Sequence, residues 1–506
     1  MLHTRTNRIF TFFCLLILLL LATVAAFLLH RQYCMDVPVI TEDRLAEYTE
    51  TSAFDVSAIT FNGQPVAADR GSATLYISQS GSDLSHFSSL KGELKHLNNN
   101  LSLYFIRNDA LENIKQTVTQ GNTLCLVVSD GVCYQKFSVI ISTLPVMNIS
   151  GIPTHENEDN RQVYTGQVTL WTGFDPELKA YSTQNSYTQW HVRGATTAAT
   201  AKKPWKLSLK DKDGNNNNIN FLGLGSDDDW ILNSLTMDDT HIKEKLFMDL
   251  WNQNAAAVSH NYQMSRGEYV EVVIDGKYLG LFLLQRRLDG KYLELENEDV
   301  LLKSTSYQAS NAKEAYEFVS AANNPDEIYE IMQKVYDKTD CSNYNLYNLI
   351  DTNLFLQYSS AIDNFSLKNM YHVLKKSAEG YDHFLLPWDT DMSFGIIWAE
   401  NIGFCYNYQA SLDAFGFRTE TPSAEITYPN YSALATARWK QLRETILSES
   451  SVYSVIDTLH AALTESASLQ RNVALWGNRY KGLDSIENLK LFIHDRIAVM
   501  DSYYCN

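Results

Sequence analysis

The longest apolar stretch of the chain lies near its N terminus, where residues Ile9–Leu29 carry no charge. A helix of about 21 residues is roughly 31 Å long, which is enough to cross the hydrocarbon core of a membrane. Arg5 and Arg8 precede this stretch, which favours a cytoplasmic N terminus and an extracellular location for the rest of the chain. A cleaved signal peptide is the alternative, because Val24-Ala25-Ala26 offers small residues at a cleavage site. Residues 1–34 are therefore predicted to form a single-pass anchor, or else a signal removed from a secreted protein.

A polar linker is predicted at residues 35–51, and short strand-like runs bounded by turn residues follow it. The runs Ala73–Ser78 and Lys136–Ile141 are typical of strands, and Asn62-Gly63 and Asp130-Gly131 are typical of two-residue hairpin turns. Residues 52–142 are therefore predicted to form a small β-sandwich domain.

Helical periodicity appears in the remaining chain, between further strand-like runs. Apolar residues recur at helical spacing in residues 242–251, in residues 346–358 and from Ala433 through Tyr503. Residues 143–506 are therefore predicted to form an α+β domain that ends in a helical subdomain.

Composition narrows the possible functions. The 506 residues carry a formal net charge of −18, which argues against a nucleic-acid partner, since such proteins usually present a basic face. The sequence has no His-Glu-x-x-His motif, no Gly-x-Ser-x-Gly motif and no Walker phosphate-binding loop. Zinc-dependent and hydrolase functions are therefore disfavoured.

The densest cationic stretch outside the N-terminal segment contains Arg193 and four lysines. One interpretation is a solvated edge strand whose lysines oppose aggregation. The other is a phosphate clamp, in which Lys203 or Lys206 neutralises the oxygens of ATP. The four lysines are Lys202, Lys203, Lys206 and Lys210.

Two acidic residues follow the apolar run Phe384–Trp388. If this run is a strand, Asp389 and Asp391 lie on one face and can share a hard cation such as Mg²⁺. Asp363 could then act as a base and Asn369 as a second metal ligand, as in protein kinases. A lone Asp-x-Asp pair can also be a solvated acidic turn. The apolar residues on both sides favour the metal site, because carboxylates at the end of a buried strand need a partner.

These motifs resemble those of the spore-coat protein H (CotH) kinase family, whose members are secreted or surface-attached atypical kinases. Arg193-Gly194, residues 202–207, residues 222–230 and residues 270–284 resemble further family motifs, so the resemblance extends from Thr143 to the C terminus. The central family pattern is an Asp, an Asn followed by aromatic residues, then Trp-Asp-x-Asp and a Gly. It is matched by Asp363, Asn369, Tyr371, Trp388, Asp389, Asp391 and Gly395.

The resemblance implies an atypical protein-kinase-like fold that transfers the γ-phosphoryl group of ATP to serine or threonine hydroxyls of a protein substrate. It implies that Asp363 is the catalytic base. The implied ligands of Mg²⁺ or Mn²⁺ are Asn369, Asp389 and Asp391, and the implied ATP-facing residues are Arg193, Lys203, Lys206 and Gln285.

Two positions depart from the family pattern. Lys243-Glu244 stands where members often carry Arg-Asn, and Gln285 stands where many carry Glu. Both positions could orient the nucleotide. Two functions therefore stay open: a membrane-anchored extracellular protein kinase, and a catalytically inert surface binding or adhesion protein with a kinase-like fold.

Overall fold

The computed structural model describes residues 33–175, 180–306, 308–320, 322–340, 342–364, 368–399, 403–414 and 428–505. The predicted membrane-spanning segment, Ile9–Leu29, lies outside these residues. Within the described ranges, no helix has the length and apolar character needed to cross a membrane. The described chain is a mixed α/β structure with three parts: an N-terminal sheet region, a closed barrel, and a C-terminal region of helices around a small sheet.

The N-terminal region consists of short strands and three short helices. Its elements are β1 (Tyr33–Cys34), β2 (Val37–Ile40), α1 (Glu42–Leu45), β3 (Thr49–Glu50), β4 (Ile59–Phe61), β5 (Gln64–Pro65), β6 (Ala67–Asp69), β7 (Thr74–Ser78), β8 (Leu94–His96), β9 (Ser102–Ile106), α2 (Asp109–Glu112), α3 (Ile114–Thr119), β10 (Leu124–Ser129) and β11 (Cys133–Ser142).

Two sheets share the apolar core of this region. The larger sheet has the order β1-β2-β9-β10-β11-β7-β6 with β3 against β11, and the smaller has the order β5-β4-β8. Phe61 and Leu94 of the smaller sheet pack in one core with Leu75 and Phe105 of the larger one. The larger sheet differs from a sandwich of hairpins because β7 runs parallel to β11 and β2 parallel to β9, and because α3 packs into the same core.

Two local predictions in this region are wrong. The linker predicted at residues 35–51 contributes β2, because burial of Met35 and Val37 favours pairing of this stretch with β9 over solvation. The β10–β11 loop spans residues 130–133 rather than a two-residue turn, since Ser129 pairs with Tyr134. The Asp130 carboxylate stabilises this wider loop by accepting hydrogen bonds from the backbone N–H groups of Val132 (2.8 Å) and Cys133 (2.7 Å).

The central region forms a closed barrel with one long helix against it. Its elements are β12 (Val146–Glu156), β13 (Gln162–Asp175), β14 (Ala180–Val192), β15 (Trp205–Lys210), β16 (Ile219–Asn220), β17 (Ser226–Asp227), β18 (Asp229–Asn233), α4 (Lys243–Ala257), β19 (Gly267–Ile274) and β20 (Lys277–Arg286).

The barrel has the strand order β12-β13-β14-β15-β18-β20-β19, and the parallel pair β12 and β19 closes it. Successive residues of a strand point to opposite faces, so each strand serves two cores. In β20, Phe282 and Leu284 pack inside the barrel, whereas Leu281 and Leu283 pack outward against the helices. The barrel is thereby fixed to the C-terminal region.

The C-terminal region contains a small sheet and most of the helices. Its elements are β21 (Val300–Thr305), α5 (Ala312–Ala315), β22 (Tyr316–Phe318), α6 (Pro325–Tyr336), α7 (Leu346–Ser359), β23 (Lys368–Ser377), β24 (Gly380–Pro387), β25 (Ile396–Ala399), β26 (Gly403–Tyr406), α8 (Tyr408–Asp413), α9 (Tyr431–Arg443), α10 (Glu449–Glu465), α11 (Ser468–Trp476) and α12 (Ile486–Tyr504).

Helix α7 lies at the centre of this region. Every residue from Asn348 to Ser359 is buried, as expected for a helix packed on all sides. It contacts β24 of the sheet β22-β21-β23-β24 and also α9 and α12. The helices predicted at 242–251, at 346–358 and between 433 and 503 are confirmed as α4, α7 and α9 to α12.

One buried carboxylate of α7, that of Asp351, is surrounded by donors. It accepts hydrogen bonds from Arg438 Nε (2.6 Å), Asn261 Nδ2 (2.7 Å) and Asn254 Nδ2 (2.9 Å), and His260 Nε2 lies 3.0 Å away. Burial alone would raise its pKa, but the contacts with His260 and Arg438 outweigh burial and lower the pKa to about 2. Asp351 and its four partners therefore form a structural cluster, in which the carboxylate is neutralised by the protein's own side chains.

Candidate active site

A cavity of about 200 Å³ lies between the barrel and the small sheet. Strands β14 and β18 end at its barrel side, and β21, β23 and β24 reach it from the sheet side. Segments that are distant in sequence thus supply one site. The predicted residues that line it are Arg193, Asp363, Asn369, Asp389 and Asp391, and the lining also includes Asn233, Lys303 and Lys368.

A side chain fixes the cavity end of the β23–β24 hairpin. The paired register ends at Met370 and Pro387. Beyond it, Asn364 Nδ2 donates hydrogen bonds to the carbonyl oxygens of Asn369 (2.9 Å) and Trp388 (2.6 Å). The backbone N–H of Trp388 also donates to Asn369 O (3.0 Å). These bonds fix the two chain segments that carry the site.

The backbone turns sharply at two of the site residues. Asn369 has a φ of 55° and Asp389 a φ of 58°, which is the left-handed region that Asn and Asp tolerate better than most residues. The prediction that Asp389 and Asp391 share a strand face is therefore wrong, because β24 ends at Pro387. A left-handed residue followed by a turn places both carboxylates at the cavity instead. Such backbone conformations cluster at functional sites.

Asp363 lies in a short 3₁₀ turn, Ile362–Asn364, that follows α7. Its Oδ2 accepts a hydrogen bond of 2.7 Å from Asn369 Nδ2. This bond orients the Asp363 carboxylate at the cavity wall. The two residues predicted as base and metal ligand are therefore direct neighbours.

Glu244 adds a carboxylate that the sequence did not assign to the site. It lies in the first turn of α4, is 1% exposed, and accepts a hydrogen bond from Thr390 Oγ1 (3.2 Å). Burial, together with repulsion from Asp389, raises its pKa to about 8, although Thr390 and Arg193 oppose the shift. Sequence analysis identified this position as a departure from the family pattern that could orient the nucleotide. It did not group Glu244 with Asp389 and Asp391, because charged residues are mostly exposed to solvent.

Negative charge is concentrated around Asp391. Burial raises its pKa well above the usual value, and repulsion from Asp389, Glu244 and Asp363 adds to the shift. Within the described residues, Asp389, Asp391 and Glu244 form no ion pair of 4.0 Å or less. The site therefore holds carboxylates that the protein leaves without cationic partners.

Cationic side chains face these carboxylates at longer range. Burial lowers the pKa of Arg193 and of Lys303, while attraction to Asp389 partly offsets this effect in both. Arg193 also lies over the ring of Trp388, with its Cζ 5.9 Å from the ring centroid. The cavity thus presents both signs of charge, as a site for a metal and a phosphate chain requires.

The sequence model of the CotH kinase protein family matches residues 190–500, which is more than half of the chain. The chain belongs to the CotH kinase family. The resemblance drawn from its motifs is confirmed, and all of the cavity residues named above fall inside the matched region. No match was found among curated proteins.

The CotH domain supplies oxygen ligands of the kind that Mg²⁺ and Mn²⁺ prefer. These are the carboxylates of Asp389 and Asp391 and the amide of Asn369. These three side chains line one cavity and are the ones that would hold such a cation. In the part of the chain that the structure describes, no group of three or more His, Cys, Asp or Glu side chains is positioned to hold a metal.

Three predicted ATP-facing residues of the CotH domain do not line the cavity. Lys203 Nζ donates to Ala198 O (2.6 Å), and Lys206 Nζ pairs with Asp229 (3.0 Å) on the outer face of the barrel. Gln285 is buried in β20, and its Oε1 has no hydrogen-bond partner among the described residues. The lysines that line the cavity are Lys303 and Lys368. The sequence signal that could have identified Lys303 is its position as the single Lys in the apolar strand Val300–Thr305.

Proposed function

We propose that this CotH kinase family protein is an ATP- and metal-dependent protein kinase with a kinase-like active site. The observation that carries the proposal is the convergence of the Asp363–Asn369 pair, two further aspartates and Arg193 on one cavity. Protein kinases divide the same tasks among an Asp base, an Asn and Asp that hold metal, and a cation that faces the phosphates.

In the proposed reaction, the hydroxyl oxygen of a protein serine or threonine attacks the γ-phosphorus of ATP. The bond between that phosphorus and the β,γ-bridging oxygen breaks, and ADP leaves. Asp363 accepts the hydroxyl proton, with its carboxylate oriented by the hydrogen bond from Asn369. The product is a phosphorylated side chain.

The remaining cavity residues position and neutralise charge. Asn369, Asp389 and Asp391 would hold Mg²⁺ or Mn²⁺, which would supply positive charge against the negative charge that develops during the transfer. Arg193 and Lys303, which also line the cavity, neutralise phosphate oxygens. Because phosphoryl transfer needs alignment more than covalent help, this residue set is sufficient.

The proposal includes a location and a partner. The apolar stretch Ile9–Leu29 anchors the chain in a membrane and leaves residues 35–506 outside, or is cleaved as a signal. The partner is then an extracellular or surface protein that presents serine or threonine. The alternative is an inert surface binding protein. It is supported by the departures from the family pattern at Glu244 and Gln285.

The test uses the full chain, purified in detergent, with γ-labelled ATP, Mg²⁺ or Mn²⁺, and a serine-rich protein acceptor. We expect label transfer that falls about 100-fold to 10,000-fold in Asp363→Ala, because a general base typically contributes this much. Asp389→Asn should abolish the metal dependence together with the transfer. Asp382→Asn is the matched control, because Asp382 is an exposed aspartate on the adjacent strand β24.

Two results would overturn the proposal. One is transfer that is unchanged in both Asp363→Ala and Asp389→Asn. The other is the absence of any metal-dependent ATP binding by the wild-type protein in calorimetry, which would leave the surface binding protein as the better description.

A further inference from the structure

A second cavity, of about 700 Å³, adjoins the polar one. The two cavities share Asp363, Lys368, Thr196 and Phe404. The metal-facing residues Asn369, Asp389 and Asp391 line only the polar cavity, so the second cavity extends away from the metal side. Asp363 thus lies on the boundary between two spaces with different chemistry.

The wall of the second cavity is largely apolar. It includes Ile362, Ile397, Trp398 and Phe404, and Trp398 lies directly opposite Phe404 in the β25–β26 hairpin. The side chain of Trp398 is 54% exposed, whereas the tryptophans of the core are nearly inaccessible. An exposed aromatic residue inside a concave apolar space is typical of a binding surface rather than of core packing.

The geometry of phosphoryl transfer decides what this space receives. The attacking and leaving oxygens lie roughly in line through the phosphorus, so acceptor and ADP must approach from opposite sides. The base contacts the acceptor, and the metal contacts the phosphates. The space that contains Asp363 but none of the metal-facing residues is therefore on the acceptor side.

We propose that the 700 Å³ cavity binds a large apolar side chain that flanks the acceptor serine or threonine in the protein substrate. The inference rests on the proposed kinase function and specifies its substrate class. Hydroxyl-bearing segments with an adjacent aromatic or large aliphatic residue are preferred over segments flanked by small residues. Burial of that side chain against Trp398 and Phe404 supplies the discrimination.

The experiment compares peptides in which one serine is flanked on either side by Phe, Leu or Ala. The wild-type full chain should phosphorylate the best Phe- or Leu-flanked peptide with a kcat/KM about tenfold or more above the all-Ala peptide. In Trp398→Ala this ratio should fall close to one. Tyr187→Ala is the matched control, since Tyr187 is a similarly exposed aromatic, 45% accessible, on barrel strand β14, and it should keep the wild-type ratio.

A direct binding measurement separates this inference from the kinase proposal. Fluorescence anisotropy with labelled peptides should show tighter binding of the Phe-flanked peptide to the wild type than to Trp398→Ala, even without ATP. This result would support the cavity assignment if no phosphorylation were observed. Equal binding by both proteins, with active phosphorylation that ignores the flanking residue, would overturn the inference and leave the kinase function standing.

A third outcome would assign the cavity to a different occupant. If Trp398→Ala raises the KM for ATP about tenfold and leaves the peptide preference unchanged, the space receives the nucleotide base, and the inference is wrong.

Discussion

Two buried groups of acidic side chains in this protein have opposite surroundings. Asp351 in α7 accepts hydrogen bonds from Arg438, Asn254 and Asn261 and lies beside His260. At the candidate active site, Thr390 is a hydrogen-bond donor to Glu244, and within the described chain Asp389, Asp391 and Glu244 form no close ion pair. The pKa of Asp351 is lowered, whereas the pKa values of Glu244 and Asp391 are raised.

The difference separates a structural role from a functional one. Carboxylates whose partners are part of the protein contribute to stability. They are already neutralised, so a bound cation would add little. Carboxylates held apart from cations cost stability, and that cost is recovered when a cation binds. Substitutions and pH changes at the two groups should therefore have effects of opposite sign.

The largest effect is expected at the structural cluster. Asp351→Ala should lower the free energy of unfolding by about 3–5 kcal/mol, because it leaves the largely buried Arg438 without its carboxylate. Urea unfolding at pH 7 measures the change, with the exposed Asp382→Ala as control. A loss below about 1 kcal/mol would mean that the cluster is not a structural ion pair.

A substitution at the site should have the opposite sign. Asp391→Asn removes a repelled carboxylate, so it should stabilise the metal-free protein by about 1–2 kcal/mol. The same change should weaken Mn²⁺ binding, measured by calorimetry, at least about tenfold, because one ligand loses its charge. Stabilisation without weaker binding would show that Asp391 does not face the metal.

The pH dependence should also differ in sign between the groups. Glu244 has a pKa raised from 4.5 to about 8. Between these two pH values the folded protein keeps a proton on Glu244 that the unfolded chain loses. The stability that the protonated Glu244 contributes is therefore lost as pH rises from about 4.5 to about 8. We expect the melting temperature of the metal-free protein to fall by about 2–4 °C over this window. Glu244→Gln and added Mg²⁺ should each flatten the profile.

Asp351 supplies the internal comparison for that profile. Its pKa is lowered from 3.8 to about 2, so its contribution is complete above pH 4 and is lost as pH falls toward 2. In Asp351→Asn the acid-side decline should become shallower, while the slope between pH 5 and pH 8 should persist. A profile in which both slopes disappear together would contradict the separation of the two groups.

The smallest effect concerns the lysines. Lys303→Ala should raise the KM for ATP about fivefold to tenfold, because Lys303 lines the cavity and loses a charge contact with phosphate. Lys203→Ala should change it less than about twofold, since Lys203 Nζ is bonded to Ala198 O. A larger rise in the KM for ATP in Lys203→Ala than in Lys303→Ala would instead support the phosphate clamp predicted from sequence.

The predicted residues Asp363, Asn369, Asp389 and Asp391 line one cavity, and their roles stay predictions. They lie close together in sequence around the β23–β24 hairpin, so their grouping depends little on the rest of the fold. The cationic residues depend on packing between distant strands. Lys206 forms an ion pair with Asp229, which lies opposite Ser208 on the neighbouring strand β18, and no local pattern records that contact.

For the fold as well, local features were predicted and features that depend on distant strand pairing were not. Helix periodicity located α4, α7 and the C-terminal helices, because amphipathic spacing is a local property. The closed barrel and the strand Val37–Ile40 were not predicted, because both depend on pairing with strands elsewhere in the chain. The burial of Glu244 was not predicted for a related reason, since it depends on contact with the Asp389–Asp391 turn.

The closed barrel has a practical consequence for making this protein recombinantly. A gene trimmed to the family match, residues 190–500, would delete β12, β13 and nearly all of β14, and would keep only β15, β18, β19 and β20 of the barrel. The remnant would expose unpaired strand edges, which promote aggregation. It would also remove Trp171, whose ring lies 6.4 Å from Phe61 across the interface with the N-terminal sheets. Soluble expression should therefore start before β1, with the N-terminal region serving as a folding partner of the CotH domain.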